Sequence, residues 1–147
     1  MQLQMLVNPT SAAELAKFWV PQLTAAPSVP LADLDGGRPP VGAVGTYLWF
    51  RRNTSGEIDE ILYVGSGDVR DRINRERKKL RNASRLRRAG IEVAHLLTDG
   101  PAIASLVELL AIEQLSPLWQ RTGFGSNQPG RGRAGQRRCQ WDSDHQP

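Results

Sequence analysis

Two tyrosines, each two positions from a glycine, open the part of the chain whose residue types could do chemistry. Tyr47 ends the triplet GTY, and Tyr63 begins the triplet YVG sixteen positions later. A basic run between positions 70 and 88 follows at once and holds ten of the 19 Lys and Arg residues. Phenol groups can relay protons, and one guanidinium group can form two parallel hydrogen bonds to phosphate oxygens. The combination indicates chemistry on a polyanion, with a solvated basic helix face as the alternative.

The composition limits the class of protein. A chain of 147 residues forms one domain with a real core. Cys139 is the only cysteine, which excludes an internal disulfide and a thiolate cage for zinc, and it fits the reducing cytoplasm. No apolar run approaches the length of a membrane span, so we expect a cytoplasmic protein that does not enter a membrane.

The elements around the tyrosines predict a small α+β domain. The β-rich runs VGTYLWFRR and EIDEILYVGS, separated by NTSG, predict a hairpin. From Asp68 the pattern becomes helical, with Val69, Ile73 and Leu80 as apolar anchors. The run IEVAHLLT predicts a third strand, and the next helix ends before Pro117. The order β-β-α-β-α implies a three-stranded antiparallel sheet flanked by helices.

The two flanks differ from this core. Ser11 and Glu14 have capping-box spacing, which predicts a short helix that Pro21 ends. A Pro/Gly-rich stretch follows, so we expect residues 1–43 to be an N-terminal helix and arm, and residues 44–120 the core. Glycine and arginine dominate the loop-rich tail, residues 121–147, which we expect to contact nucleic acid; a disordered basic extension is the alternative.

These motifs, in this order, resemble the GIY-YIG nuclease superfamily. In that superfamily two tyrosine motifs on the first strands precede an arginine helix and a glutamate helix. The resemblance covers about residues 44–120 and implies the small GIY-YIG fold. The stretch PLWQRTGFGSNQPGRGR looks like the C-terminal part of small GIY-YIG type II restriction endonucleases, which extends the resemblance to His145.

The resemblance implies a set of catalytic residues: Tyr47, Tyr63, Arg72, Glu108 and Gln120. Arg70 is the fallback for the arginine, and Gln120 stands where the family usually has asparagine. Glu76 occupies a position at which several relatives carry histidine. The general base is left open between Tyr47, Glu76 and a water held by the metal, because a phenol is a poor base unless a nearby cation lowers its pKa.

The implied function is a Mg²⁺-dependent endodeoxyribonuclease that hydrolyses phosphodiester bonds in double-stranded DNA, of the site-specific restriction type. Glu108 is the expected metal ligand, and Mn²⁺ is expected to substitute for Mg²⁺. Two alternatives stay open. One is a catalytically silent nucleic-acid-binding protein with the same fold, and the other is a low-specificity nuclease of repair, mobile elements or phage defence.

Double-stranded DNA is the expected partner. A palindromic site would imply a homodimer, and a cognate DNA methyltransferase would protect the host. His95 is expected to be structural rather than a metal ligand. The residues expected to bind DNA are Arg70, Arg75, Arg77, Lys78, Lys79, Arg81, Asn127, Arg131 and Arg133.

Overall fold

The computed structural model describes residues 9–37, 39–81, 89–122 and 124–125. None of the helices among these residues has the length and apolar character needed to span a membrane. The elements, in chain order, are α1 (Pro9–Thr24), β1 (Ser28–Pro30), a 3₁₀ helix (Leu31–Gly37), β2 (Val44–Arg52), β3 (Ile58–Asp68), α2 (Val69–Leu80), β4 (Ile91–Leu97) and α3 (Pro101–Leu115).

The strands form one antiparallel sheet in the order β1-β4-β2-β3. The predicted order β-β-α-β-α is confirmed, but the prediction of three strands is wrong. The added strand, β1, pairs with β4 through Ser28 and Ala94. It is three residues long, ends in Pro30 and has no alternating pattern, so its sequence carries no strand signal. An edge strand tolerates proline because one side of its backbone needs no partner.

Helix α1 continues through Pro21 instead of ending there, which corrects the expected boundary. A proline in the last turn removes only one backbone hydrogen bond. Burial of Leu23, two residues later, favours completion of that turn. Ala16 and Val20 are also buried, so this helix is part of the core rather than an accessory arm.

The sheet separates two apolar layers. We call the face that carries Tyr47 and Trp49 the tyrosine face, and it packs against α2 and against Phe124. The opposite face, which carries Leu48, packs against α1 and α3. On that side the Thr46 hydroxyl donates a 2.8 Å hydrogen bond to the Ala104 carbonyl, which fixes α3 to the centre of the sheet.

A β-bulge lies next to Tyr63 in β3. The pairing of β2 with β3 shifts between Trp49↔Tyr63 and Phe50↔Ile61, which leaves Leu62 as the extra residue. Leu62 and Tyr63 therefore both belong to the core cluster of the tyrosine face. The chain after α3 covers this edge strand, because the Trp119 amide donates to the Leu62 carbonyl at 2.7 Å. The edge of β3 is thus paired where Tyr63 stands.

Candidate active site

The glycine of the YVG triplet makes room for the first tyrosine. Gly65 lies directly opposite Tyr47 in the β2–β3 pair. A Cβ at position 65 would collide with the Tyr47 phenol, so only glycine lets this ring lie flat across the strand. The rings of Tyr47 and Tyr63 have centroids 6.3 Å apart. The two motifs therefore bring both phenols together on one face.

Helix α2 presents one carboxylate to these phenols. The Asp68 side chain caps the helix by accepting a 3.1 Å hydrogen bond from the Asp71 amide. The inward stripe has the spacing i, i+4, i+7, i+11, and its members are Val69, Ile73, Glu76 and Leu80. Three of the four are aliphatic. Glu76 is the exception, with 2% of its surface exposed.

Tyr47, Arg72 and Glu76 are joined by hydrogen bonds, and we call these three residues the Tyr47 cluster. The Tyr47 hydroxyl donates to Glu76 Oε2 at 2.6 Å. Arg72 Nη2 lies 3.4 Å from the same oxygen, and Arg72 Nε lies 3.5 Å from the Tyr47 hydroxyl. A short, charge-assisted bond to the carboxylate thus orients the phenol, while the guanidinium holds the other side.

The environment of the cluster decides which group accepts a proton. Burial raises the pKa of Glu76 to about 7, although the bond from Tyr47 and the charges of Arg72 and Lys79 lower it. Burial, and next the Glu76 charge, raise the pKa of Tyr47 well above its ordinary value. The charge of Arg72 does lower the pKa of this phenol, but burial and the Glu76 charge outweigh it. Glu76 is the better proton acceptor near neutral pH.

Phe124 and Gly125, at the end of the described chain, cover the tyrosine face, and we call these two residues the closing segment. Arg72 Nη2 donates a 2.9 Å hydrogen bond to the Gly125 carbonyl, and the Lys79 ammonium donates to the Phe124 carbonyl. The Phe124 ring meets the Tyr63 ring edge-on at 5.1 Å between centroids. A Cβ at position 125 would collide with the Tyr63 hydroxyl, which explains the glycine there. The segment therefore packs against both tyrosine-bearing strands.

Gln120 binds the strand beside Tyr63. Its Nε2 donates to the Val64 carbonyl at 2.9 Å, and its Oε1 accepts from the Val64 amide at 3.2 Å. These two hydrogen bonds, like the one from the Trp119 amide, pair backbone groups at the edge of β3. The side chain thereby supports the backbone that carries Tyr63.

Glu108 comes from the helix on the opposite face of the sheet. It is half-buried, one residue after buried Val107 and four after buried Ala104. No group of three or more His, Cys, Asp or Glu that could hold a metal occurs among the described residues. Mg²⁺ is commonly held by only one or two carboxylates together with waters and substrate phosphate. A single carboxylate such as Glu108 fits a hard divalent ion of that kind.

The residues expected to bind DNA fall into four groups. Lys78 and Arg81 are exposed, and Arg70 is half-exposed. Arg75 and Arg77 form ion pairs with Asp71 (2.7 Å) and Asp35 (2.8 Å). Lys79 is only 6% exposed, and its amine faces Phe124, so it is removed from the DNA-binding set. Asn127, Arg131 and Arg133 lie outside the described residues.

Comparison with known protein families identifies the family of this chain. Residues 51–147 match the model of the Eco29kI GIY-YIG domain, about two thirds of the chain. The chain belongs to this GIY-YIG family. It therefore contains a nuclease domain of the class found in a type II restriction endonuclease, a class that acts on DNA and generally uses divalent metal ions. No match was found among curated proteins.

The family match covers most of the site but not its first tyrosine. Tyr63, Arg72, Glu76, Glu108 and Gln120 lie within it, whereas Tyr47 precedes its first residue by four positions. The assignment of Tyr47 to the GIY-YIG site therefore depends on the contacts described above. Its partner in β4, His95, is half-buried, and burial lowers the pKa of its imidazole.

Two contributions to the cluster were missed or misjudged from sequence. Glu76 was considered as one of three bases, but its burial was not expected, although it completes the apolar stripe of α2. Lys79 was assigned to the exposed face, yet it stands seven residues after Arg72 and three after Glu76, which places all three on one side of the helix. The signal lay in the spacing and was obscured by the surrounding basic residues.

The buried carboxylate predicts an unusual pH dependence of stability. Glu76 has a reference pKa of 4.5, raised to about 7 in the fold. The folded protein therefore binds the extra proton, and the free energy of unfolding should fall as pH rises between these two values. The loss is on the order of 3 kcal/mol relative to Glu76→Gln, measured by urea unfolding from pH 4 to pH 8.

Glu113→Gln is the matched control, because Glu113 is exposed and should leave the pH dependence unchanged. Identical pH dependence in the wild-type protein and in Glu76→Gln would contradict the burial of an ionisable carboxyl at position 76.

Proposed function

We propose that the protein is a Mg²⁺-dependent endonuclease that hydrolyses phosphodiester bonds of double-stranded DNA at specific sites, as restriction enzymes do. The observation that carries the proposal is the 2.6 Å hydrogen bond from Tyr47 to the buried carboxylate of Glu76, with Arg72 beside both. Nuclease chemistry needs a proton acceptor next to a phosphate-binding cation, and this cluster supplies both.

Tyr47 and Glu76 would act together as the general base. The attacking water gives its proton to the Tyr47 oxygen while the phenol proton moves to Glu76. The water oxygen bonds to phosphorus, the bond from phosphorus to the leaving oxygen breaks, and that oxygen takes a proton from solvent. Because the pKa of Glu76 is about 7, the carboxylate is available near neutral pH, which suits a base of this kind.

Arg72 would neutralise charge on the phosphoryl oxygens. Its guanidinium already lies against Tyr47, so a phosphate bound there would stand close to the water that Tyr47 activates. Glu108, on the helix of the opposite face, would hold Mg²⁺, with Mn²⁺ able to substitute, and the ion would supply positive charge to the DNA backbone from that side. Tyr63 and Gln120 would support this arrangement from the neighbouring strand.

The tail would supply contacts to bases. Gly125, the last residue that the structure describes, is hydrogen-bonded to Arg72. Arg131 and Arg133 are suited to guanine, whose major-groove edge accepts two hydrogen bonds from one guanidinium, and we propose a G/C-containing site on this basis. A palindromic site would be cut by a homodimer, with a cognate methyltransferase protecting the host DNA.

Cleavage of a long duplex tests the function. Purified protein should convert the DNA into discrete fragments only when Mg²⁺ is present. Glu108→Gln should abolish cleavage because it removes the metal-binding charge, while leaving DNA affinity within about threefold because the basic residues are untouched. Glu113→Gln, on the same helix but exposed, is the matched control and should cut normally.

The products also separate the alternatives. A Mg²⁺-dependent smear would indicate a low-specificity nuclease, and bound but uncut DNA would indicate a catalytically silent binding protein. Full cleavage by Glu108→Gln would overturn the assigned metal ligand.

The exposed side of α2 should set the salt dependence of binding. Replacing Lys78 and Arg81 with methionine should lower the slope of log affinity against log salt by roughly one unit per lost phosphate contact. Lys17→Met, at an exposed position of α1, is the control for net charge and should leave the slope unchanged. A slope that the double variant does not alter would exclude this side of α2 from the DNA interface.

A further inference from the structure

Helix α2 carries a second cation on its inner side, and the proposed mechanism does not use it. Arg72, Glu76 and Lys79 follow one another at the spacing i, i+4, i+7, so a cation, an anion and a second cation share one side of the helix. Lys79 is 6% exposed, although most lysines keep their ammonium in water. Burial of this charge needs compensation from its surroundings.

Two partners provide that compensation. The ammonium donates to the Phe124 carbonyl, and its positive charge lies near enough to Glu76 to lower the pKa of that carboxyl. Arg72 makes the equivalent bond to the next carbonyl, that of Gly125, at 2.9 Å. The two cations thus bind consecutive carbonyls of the closing segment, with the carboxylate between them on the helix.

We propose that Lys79 is a positioning residue of the active site, which ties Phe124 to helix α2 and stabilises Glu76 as the ionised proton acceptor of Tyr47. The role in proton transfer depends on the function proposed above. The tie keeps Phe124 packed on Tyr63 and Trp49, with ring centroids 5.1 and 5.3 Å apart. The buried ammonium of Lys79 therefore links the packing of the closing segment to the ionisation of Glu76.

Glu76 has few other neighbours that could produce this effect. From the sheet, Trp49 faces the carboxyl, and Tyr63 and His95 flank Tyr47; burial raises the pKa of Tyr47 and lowers the pKa of His95, which favours the neutral form of both. Lys79 and Arg72 are the fixed positive charges among the described groups that act on Glu76.

The test follows the carboxyl itself, without DNA. Carbon-13 NMR of the glutamate side chains gives the titration midpoint of Glu76, assigned by its disappearance in Glu76→Gln. Lys79→Met removes both the charge and the tie, whereas Lys79→Gln removes the charge and keeps a donor for the Phe124 carbonyl. Both should raise the midpoint by about one pH unit. Lys78→Met, an exposed neighbour, should leave it in place.

Cleavage rates then connect this titration with function. The acid limb of the single-turnover rate should move to higher pH in both Lys79 variants and should return to its wild-type position in Lys79→Arg. A lower rate with an unmoved acid limb would mean that Lys79 is merely structural. If the wild-type protein cuts no DNA, the proposed function fails, while the carboxyl titration still decides whether Lys79 acts on Glu76.

Reductive methylation of the unaltered protein covers the case in which the neutral variants do not fold. Lys17 and Lys78 are exposed and should be modified, while Lys79 should resist modification until the protein is unfolded. Rapid modification of Lys79 in the folded protein would overturn the proposal.

Discussion

Burial of the Glu76 carboxylate is the constraint on which the rest of the site depends. A carboxylate removed from water is costly unless hydrogen bonds and opposite charges replace the lost hydration. Tyr47, Arg72 and Lys79 supply that replacement. In the proposed mechanism the same groups accept a proton next to a phosphate, so the stability of the core and the proposed chemistry depend on the same contacts.

Several features of the fold follow from this arrangement. Glycine at position 65 leaves space for the Tyr47 ring to reach the helix, and the pairing of Tyr63 with Trp49 keeps Tyr63 on the same side. The two cations of α2, once turned inward, bind the carbonyls of Phe124 and Gly125. The end of the described chain is therefore held at the site, although its residues are far from the tyrosines in sequence.

Local patterns predicted the elements well and the interior of the site poorly. Alternation and turn residues were sufficient for the hairpin, and capping was sufficient for the start of α2 at Asp68. Strand β1 carries no pattern, because its pairing with β4 depends on contacts distant in sequence. The position of Lys79 was misjudged because a charged side chain is usually expected to be exposed to solvent. Only the tertiary packing shows that its ammonium has a buried carbonyl partner.

The central claim is that Glu76 accepts the proton of Tyr47 during phosphodiester hydrolysis. The most direct test is the single-turnover cleavage rate as a function of pH, for the wild-type protein and for Glu76→Gln. The wild-type rate should rise with pH through a midpoint near 7. In Glu76→Gln that limb should disappear and the rate should drop about 10²- to 10⁴-fold, with DNA affinity retained. An undiminished rate in Glu76→Gln, with the same pH profile, would contradict this claim.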